Sequence, residues 1–462
     1  MKRITIFAFL LLSGCMVGPD YHRPSLSVPV AYKAAPGWVK AQPDDATPKG
    51  PWWRNFEDPV LDRLESQVAV NNASLAADYY AYQQAVAITQ EARGGLLPSV
   101  SLTGSATRAR QASGLGTSGD FEGQVSWSLD LWGKIRRQVQ SDAAQAQVSE
   151  ADLINATLSA QAELASDYVY LRTADETITL LRQTVAAYQK SLRIAANKYA
   201  AGTVSQSDVL TARTALDGAQ SSLVAQYAVR AQYEHAIAVL MGRAPAAVSI
   251  PPGQQIQIIP IAPPQVPSTL LQRRPDIAAA ERQMQAENAQ IGVAQAAFYP
   301  DLSLSALGGF TSNPITALFS ASSALWSLGT TASADLFTGG ARAQAVAAAQ
   351  AAYMESIETY RQTVLTAFQQ VEDDLTNLQI YARQAQVQAR AVADAARAVQ
   401  IAMNEYKAGT ADYTSVASAQ VTLLDDRQTA LSIQQSRLLA SIALYQDLGG
   451  GFKESDLKSM FN

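Results

Sequence analysis

The distribution of proline constrains this chain more than any other feature of its sequence. The 462-residue chain has 19 prolines, yet none occurs from Ser99 to Ala244 or from Ile315 to the C-terminus. Proline interrupts helices because it lacks an N–H group and clashes with the preceding turn. Such long proline-free stretches therefore permit helices far longer than a compact domain needs. A single helix over 134–200 would be about 100 Å long at 1.5 Å per residue.

The first proline-free stretch carries the pattern of such a helix. Its apolar residues recur mostly at spacings of three, four or seven, which is the periodicity of a coiled coil. Alanine and glutamine fill many other positions, which suits close helix packing and a face turned to water. On periodicity alone, the pattern favours a soluble coiled-coil rod. The recurring residues are Tyr168, Leu171, Ile178, Leu181, Val185, Tyr188, Leu192 and Tyr199.

An internal repeat argues against a simple rod. Three blocks occur twice, in the same order and with a slowly drifting offset, which indicates two related halves. Each half reads as helix, strand, strand, very long helix, Gly-Thr turn and helix. The paired blocks are Leu97–Leu102 with Tyr299–Leu304, Ser128–Gly133 with Ser333–Thr338, and Asn197–Thr203 with Asn404–Thr410.

The repeat and the proline clusters divide the chain into six parts. They are a signal peptide over 1–14, a tether over 15–58, a first repeat over 59–242, a proline-rich linker over 243–267, a second repeat over 268–447 and a C-terminal tail over 448–462. The first repeat is predicted to hold strands at about 99–110 and 121–132, a long helix at about 134–200 and a return helix at about 204–242. The corresponding elements of the second repeat are at about 301–312, 325–337, 340–408 and 411–447.

The predicted strands alternate between apolar and polar residues. Apolar side chains occupy every second position of Val125–Leu131 and of Leu302–Ala306. This alternation is typical of membrane barrel strands with one face toward lipid. Only about four such strands are present, whereas closed barrels need about eight or more, and lipid does not tolerate open sheet edges. Several copies of the chain must therefore contribute to one barrel, in a number that this argument does not fix.

The N-terminus has the form of a bacterial lipoprotein signal. A basic start precedes the apolar run Ile4–Leu12, which is shorter than the about 20 residues of a membrane span. Leu12-Ser13-Gly14-Cys15 resembles a lipobox, in which the only cysteine is acylated, as by palmitate, and becomes the first mature residue. The alternative is an ordinary secretory signal with an incidental cysteine. Met16 rather than aspartate follows Cys15, so we expect sorting to the outer membrane.

Composition excludes several functional classes. With two histidines and one cysteine, the chain cannot assemble a usual Cys/His zinc site, and no cofactor is predicted. A net charge of -5 offers no basic surface for nucleic acid. The Gly-x-Gly-x-x-Gly pattern of Gly114–Gly119 is followed by a predicted strand instead of the helix that dinucleotide binding requires, so we interpret it as an exposed hairpin loop. His235 is predicted to pack in the core.

Taken together, the repeat, the lipobox and the long helices resemble the TolC/NodT family of outer-membrane efflux proteins, especially its lipoprotein branch. The resemblance covers essentially the whole mature chain. Four segments carry it most specifically, the last with Phe452 where tryptophan is more common. They are Cys15–Pro24, Trp52–Leu61, Arg273–Arg282 and Leu448–Phe452.

This resemblance implies a mainly α fold with a small transmembrane β-barrel contribution. Three copies would form a homotrimer with a 12-stranded β-barrel and an α-barrel tunnel, built from duplicated helix-strand-strand-helix halves. The protein would be a passive exit duct for drugs or other small molecules and not an enzyme. An inner-membrane pump, of the proton-driven resistance-nodulation-division type, would supply the energy, and a periplasmic adaptor would join pump and duct.

The resemblance also implies where the duct meets its adaptor and closes. The adaptor would contact the two helix–helix turns, at Gly202, Thr203, Gly409 and Thr410. Family members often close the pore with acidic and basic side chains beyond the second turn, but Ser418 and Val421 stand here where aspartate and arginine are common. The remaining gate candidates, which could equally be solvated tip residues, are Asp208, Arg213, Asp412 and Tyr413.

Two other functions stay open at this point. A duct for protein secretion would have a similar tunnel. A periplasmic coiled-coil scaffold or adaptor lipoprotein belongs to a different class, but it needs neither alternating strands nor a duplicated chain.

Overall fold

The computed structural model describes residues 16–25, 51–111, 114–260 and 274–450. The first half contains α1 (Pro59–Asn71), α2 (Ala73–Gly94), β1 (Ser99–Gln111), β2 (Gly114–Leu129), α3 (Lys134–Ala200) and α4 (Gln206–Leu240). The second half contains α5 (Pro275–Ala296), β3 (Asp301–Ser312), β4 (Ala324–Ser333), α6 (Ala341–Ala408) and α7 (Tyr413–Asp447). Short 3-10 helices lie at Trp52–Phe56, Pro245–Ala247, Ile315–Ala317 and Ala321–Ser323.

The two halves have matching helices. The long helices α3 and α6 contain 67 and 68 residues, and the return helices α4 and α7 contain 35 residues each. Each long helix packs along its return helix, and α3 also packs against α2, α5 and α7. In the described parts of the chain, no helix holds a stretch both apolar enough and long enough to cross a bilayer.

Two apolar clusters hold the helices together around the middle of the long helices α3 and α6. The larger joins α1, α3, α4 and α7, with Leu61, Tyr168, Ile237 and Leu438 at its centre. The smaller joins α5, α6 and α7. Between α3 and α5 the contact is made largely by alanines, because small side chains let two helices approach closely. His235 is exposed on α4, contrary to the prediction, because the buried face of that helix turns Ile237 and Ala238 inward.

The four strands form one antiparallel sheet in the order β1-β2-β3-β4. The register pairs Trp127 with Leu304 and Leu129 with Leu302. Since directly paired residues point to the same side of a sheet, the apolar positions of both repeats share one face. The register thus confirms the predicted phase of alternation. Serines and threonines line the other face, and β1 and β4 are the edges.

The glycine-rich segment Gly114–Gly119 is a strand and not the predicted exposed loop. It starts β2, pairing with β1 from Gln111↔Gly114 onward. Gly119 lacks room for a side chain because the β3–β4 connection packs against the sheet there. A Cβ on Gly119 would lie 2.8 Å from Ile315.

Both outgoing strands end earlier than predicted, so Leu131, Leu336 and Phe337 lie beyond them. In the first half, Asp130 accepts hydrogen bonds from the backbone N–H groups of Ile135 and Arg136, which draws the chain into α3. In the second half, Asp335 pairs with Arg342 at 2.8 Å, and Leu336 is 98% exposed.

The described part of the predicted tether is packed against the helices. Arg137 on α3 donates to the backbone carbonyls of Val17 and Gly18. Asn288 on α5 donates to the carbonyl of Pro19. Near the other end of the tether, the 3-10 helix Trp52–Phe56 buries both of its terminal aromatic residues in the larger cluster. These segments are therefore part of the folded body and not a free spacer.

Candidate functional site: the paired helical turns

The two helix–helix turns lie together, far from the sheet. Helix α3 leaves the sheet at Lys134 and reaches its turn after 67 residues, a rise of about 100 Å. Helix α6 runs from the sheet to its own turn over 68 residues in the second half. A single apolar cluster then joins α3, α4, α6 and α7 at this end. We call this region the tip; it comprises residues 192–213 and 402–421.

Each turn is closed by the same pair of backbone hydrogen bonds. The N–H of Gly202 donates to the carbonyl of Tyr199, and the N–H of Thr203 donates to that of Lys198. This is the Schellman pattern, which requires a left-handed residue and so favours glycine. Gly202 and Gly409 have φ of +72° and +81°. The corresponding bonds of the second turn run from Gly409 to Tyr406 and from Thr410 to Glu405.

The four residues predicted for adaptor contact are exposed at the end of the tip. Gly202, Thr203, Gly409 and Thr410 all present free surface. Among the described residues, no atom outside the local backbone lies within 4 Å of the position that a Cβ would take on either glycine. The two turns therefore form a bare, adjacent pair of backbone loops.

Two buried tyrosines fill the interior of the tip. Tyr406, at the end of α6, and Tyr413, at the start of α7, are each 1% exposed. Their ring centroids are 5.3 Å apart in an edge-to-face arrangement, a geometry that aromatic pairs prefer. The rings connect the end of α6 to the start of α7 across the turn and pack against Ala195, Ala212 and Val416.

A lysine from the first half fixes the second turn. Lys198 on α3 donates its ammonium group to the backbone carbonyl of Tyr406. Its Nζ also lies 4.7 Å from the centroid of the Tyr406 ring, within cation–π range. A cation at a helix C-terminus is favourable because the last carbonyls carry partial negative charge. Lys198 thus links the two repeats at the tip.

The four gate candidates occupy different environments. Tyr413 is fully buried, Asp208 is half-buried, and Arg213 and Asp412 are exposed. Asp208 accepts a hydrogen bond from Ser205 within its own turn at 3.1 Å. Within the part of the chain that the structure describes, no ion pair joins Arg213 to either aspartate. Tyr413 is therefore part of the buried tyrosine pair, and Asp208 lies beside that pair. Arg213 and Asp412 stand in solvent.

Burial and charge keep the tip tyrosines neutral. Burial, with the nearby negative charge of Asp208 adding to it, raises the pKa of Tyr406 to about 12. Burial also raises the pKa of Tyr413 above its usual range. Neither phenol ionises near neutral pH, so both side chains are uncharged in the interior of the tip.

A polar contact continues the seam between α3 and α7 away from the turns. Gln420 on α7 donates to the hydroxyl of Ser191 on α3 at 2.9 Å in a buried environment. Tyr188 is buried one turn away, and its hydroxyl has no hydrogen-bond partner among the described residues. Val416 is fully buried, whereas Val421 is 49% exposed. The stretch 416–421 therefore turns one valine into the tip and the other out of it.

Sequence reasoning missed Lys198, Tyr406 and Gln420. Tyr406 lies in the repeated block Asn404–Thr410, next to the predicted glycine turn, so the repeat marks its position. The equivalent Tyr199 of the first half is 47% exposed, however, and the shared pattern does not distinguish the two.

The family model for outer membrane efflux proteins matches residues 64–243 and 266–450 of this chain. The chain belongs to the outer membrane efflux protein family. The match spans both repeats, including α3, α4, α6, α7 and all four strands.

Individual relatives agree with the family match. The antibiotic efflux pump outer membrane protein ArpC of Pseudomonas putida is 29% identical over 98% of this chain and 95% of its own length. The toluene efflux pump outer membrane protein TtgC, also of Pseudomonas putida, has the same identity and coverage. Among solved structures, the outer-membrane channel OprN superposes with a TM-score of 0.86 and 27% identity, covering 94% of this chain and 99% of that one.

These findings confirm the predicted fold class and function. The chain has a TolC-like fold, and it is an outer-membrane efflux channel. The family consists of channel proteins and not of enzymes. The coiled-coil scaffold is thereby set aside. Cys15 lies outside the described residues, so its acylation stays a prediction.

Proposed function

We propose that three copies of this chain form an exit duct that passes small molecules from an inner-membrane pump to the outside. A periplasmic adaptor would connect the duct to the pump, which we expect to be of the resistance-nodulation-division type. The observation that carries the proposal is the sheet, which has one predominantly apolar face and two unpaired edges.

The sheet supports an assembly of several chains. β1 and β4 lie at opposite edges of the four-stranded sheet, and among the described residues the outer N–H and C=O groups of each have no strand partner. Those groups must be paired wherever the sheet lies in lipid. If β4 of one copy pairs with β1 of the next, a ring closes without free edges. The family resemblance supports three copies, which would give a barrel of 12 strands.

The long helices support a tunnel below this barrel. Their common length of about 100 Å would carry the duct from the outer membrane deep into the periplasm. A tunnel that stayed open would admit the compounds it expels, so we infer a closed resting state. The tip is the natural place for closure because the sheet no longer fixes the helix separation there.

Within the tip, the geometry favours the tyrosine pair as the closing element. Tyr413 is buried against Tyr406, with Asp208 beside them, so these residues set how closely α6 and α7 approach at the turn. The exposed Asp412 and Arg213 would contribute less, because exposed ion pairs are worth about 0–1 kcal/mol. We therefore rank Tyr413 and Asp208 above Asp412 and Arg213 as gate residues.

The bare turns suit contact with an adaptor. Gly202, Thr203, Gly409 and Thr410 are exposed and side by side, and the glycines offer backbone without steric hindrance. An adaptor that docks on both turns would act on the ends of all four helices. Such contact could separate α7 from α3 and open the tip.

The names of the relatives indicate the range of transported compounds. ArpC is named for antibiotics and TtgC for toluene. We propose that this duct likewise passes small organic molecules, with selectivity residing in the pump.

The packed N-terminal segment supports a lipid anchor at Cys15. Met16 contacts Gly133, and the N–H of Val17 donates to the carbonyl of Trp132 at 3.0 Å. This contact lies where the sheet meets α3, at the side of the apolar band nearer the helices. An acyl chain on the preceding residue would enter the bilayer beside the barrel. Labelling with a radioactive fatty acid should mark the wild type and not Cys15→Ser.

Purification of the full chain tests the proposal as a whole. We expect native mass spectrometry to give a trimer and planar bilayers to show discrete conductance steps. Deletion of the gene should sensitise cells to several antibiotics to the same extent as deletion of its pump, and deletion of both should add nothing. A monomer without conductance, or a deletion without effect on any compound, would overturn the proposal.

A further inference from the structure

Charged residues are sorted between the two faces of the sheet. Among the described strand residues, the apolar face carries charge only at Arg108 and Arg110 of β1. These positions have the same parity as Val100 and Leu102 and so point to the same side. The carboxylates of Asp120, Glu122 and Asp301 fall on the opposite, polar face.

The two arginines stand just beyond the apolar band. Leu129 and Leu302 form its row nearest the helices, and Gly119 and Ser312 form the last row that β2 shares with β3. These rows are ten residues apart on β2, or about 34 Å along the strand at 3.4 Å per residue. With a strand tilt of about 40°, this is about 25 Å of height, the thickness of the apolar band of an outer-membrane barrel.

The β1–β2 hairpin continues past that limit. Arg108 pairs with Thr117, and Arg110 pairs with Leu115, in the first two rows of this face beyond Gly119. At the same rise and tilt, the arginines stand about 5 and 10 Å above the band. This is the depth of lipid headgroups at the end of the sheet remote from the helices.

Both side chains are free to take an anionic partner. Arg108 and Arg110 are exposed, and no hydrogen bond or ion pair engages either of them within the described part of the chain. Their row neighbours Thr117 and Leu115 carry no charge. Two guanidinium groups two residues apart on one face repel each other, and a shared anion relieves that repulsion. Guanidinium groups bind phosphate in a bidentate manner.

We propose that Arg108 and Arg110 form a binding site for the phosphate groups of outer-leaflet lipid, and so set the depth of the barrel in the membrane. The inference rests on the proposed function, because it takes the apolar face as the lipid face. Charge complementarity and the height above the band both favour a phosphorylated lipid headgroup over phosphate in solution, since only the headgroup is fixed at that depth.

A lipid titration of the purified full-length protein tests this site. Bisphosphorylated lipid A is added to trimers in neutral detergent, and the unfolding temperature is followed. We expect lipid A to raise it, and lipid A stripped of both phosphates or inorganic phosphate at equal concentration to have little effect. In Arg108→Gln/Arg110→Gln, the lipid A concentration for half of the effect should rise about 30-fold, from roughly fivefold per basic side chain near an anionic surface.

Two variants serve as controls. Arg108→Lys/Arg110→Lys keeps the charge but loses the bidentate geometry, so its lipid A concentration for half of the effect should lie between those of the wild type and Arg108→Gln/Arg110→Gln. Lys190→Gln/Arg193→Gln removes the same charge from exposed positions of α3 and should respond as the wild type does.

Three results would overturn the inference. They are an unchanged lipid A response in Arg108→Gln/Arg110→Gln, an equal response to dephosphorylated lipid, and an equal response to inorganic phosphate. Conducting trimers with any of these results would refute the lipid site alone. Absence of a conducting trimer in the wild type would refute the proposed function and the lipid site with it.

Discussion

Tyr413 is the predicted gate residue whose surroundings the structure specifies most closely. It is packed on all sides and in contact with Tyr406. Asp412, its neighbour in sequence, stands in solvent and makes no side-chain hydrogen bond to the helix that it precedes. Truncation of these two adjacent side chains should therefore have different effects.

Tyr413→Ala should open the tip, whereas Asp412→Ala should not. Truncating a buried aromatic side chain to alanine costs about 3–5 kcal/mol, while exposed substitutions usually stay within about 0.5 kcal/mol. We expect Tyr413→Ala to raise single-channel conductance in planar bilayers and to sensitise cells to vancomycin. Tyr413→Phe keeps the ring and should behave nearly as the wild type. If Asp412→Ala raised the conductance as much as Tyr413→Ala, closure by exposed charge would be the better account.

The buried carboxyl group of Glu65 should make the free energy of unfolding depend on pH. Glu65 on α1 is 1% exposed, and neither of its carboxylate oxygens has a hydrogen-bond partner among the described residues. Burial raises its pKa to about 9 from an ordinary value of 4.5. The folded chain therefore binds this proton more tightly than the unfolded chain does, so Glu65 disfavours folding progressively as the pH rises from 4.5 to 9.

Glu65→Gln should flatten this dependence. The amide keeps the shape of the protonated acid but cannot ionise, so the variant should gain thermal stability over the wild type as the pH rises from 5 to 9. Unfolding temperatures of the trimer at several pH values provide the measurement. Glu91→Gln, an exposed change on α2, serves as the control. If the unfolding temperatures of wild type and Glu65→Gln changed with pH in parallel, the Glu65 carboxyl would not be the source of the pH dependence.

For single residues, the sequence predicts the place in the fold better than it predicts whether the side chain is buried or exposed. The repeated blocks place Tyr199 and Tyr406 in equivalent turns, but one is exposed and the other buried. The difference comes from neighbouring helices, because Tyr406 meets Lys198 and Tyr413 across the tip. Lys198 lies 208 residues before Tyr406, and local pattern does not encode contacts at that separation.

Among the elements, one turn glycine and one helix glycine should respond to alanine with opposite signs. Gly202 needs its left-handed backbone, whereas Gly218 lies in the interior of α4 with nothing within 4 Å of its missing Cβ. Gly202→Ala should therefore destabilise the trimer, by about 1–2 kcal/mol per chain. Gly218→Ala should stabilise it by about 0.5–1 kcal/mol per chain. Thermal unfolding of the two variants decides the matter, and a loss of stability in both would indicate that Gly218 is needed for close packing between copies.

The strands offer a test of facing and depth. Leu328 of β4 is 75% exposed and pairs with Ala306 in the middle rows of the apolar face. Arginine at the lipid-facing midplane of a barrel costs about 2–4 kcal/mol, and near the interfaces about 0–1 kcal/mol. Leu328→Arg should thus lower trimer yield more than Leu129→Arg, which lies in the row nearest the helices. Ser327→Arg, on the polar face, should have little effect. Equal yields for Leu328→Arg and Ser327→Arg would contradict the assignment of the lipid face.

Helices were more predictable than strands for a physical reason. The ends of α3 and α6 follow from proline-free sequence and from glycine turns, which are local signals. The start of β2 does not, because the glycines of Gly114–Gly119 suit a loop as well as a strand, and only pairing with β1 and contact with Ile315 decide between them.

At the scale of the whole molecule, the N-terminal segment unites the two repeats. Arg137 from the first half holds the backbone of Val17 and Gly18, while Asn288 from the second half holds Pro19. The sequence predicts an extended tether here because the stretch is rich in proline. An extended chain can equally be bound in a groove, and only the buried arginine and the asparagine opposite it determine that outcome.

The two open edges of the sheet also have a genetic consequence. In a ring where each copy pairs head to tail with the next, every contact between β4 and β1 is needed for closure. One copy with a defective edge strand therefore prevents the whole ring from closing. In a cell that makes normal and edge-defective chains in equal amounts, random mixing would leave only about one trimer in eight wholly normal. A plasmid-borne edge variant should therefore lower drug tolerance even when the chromosomal gene is intact, whereas a variant that cannot be exported should have no such effect.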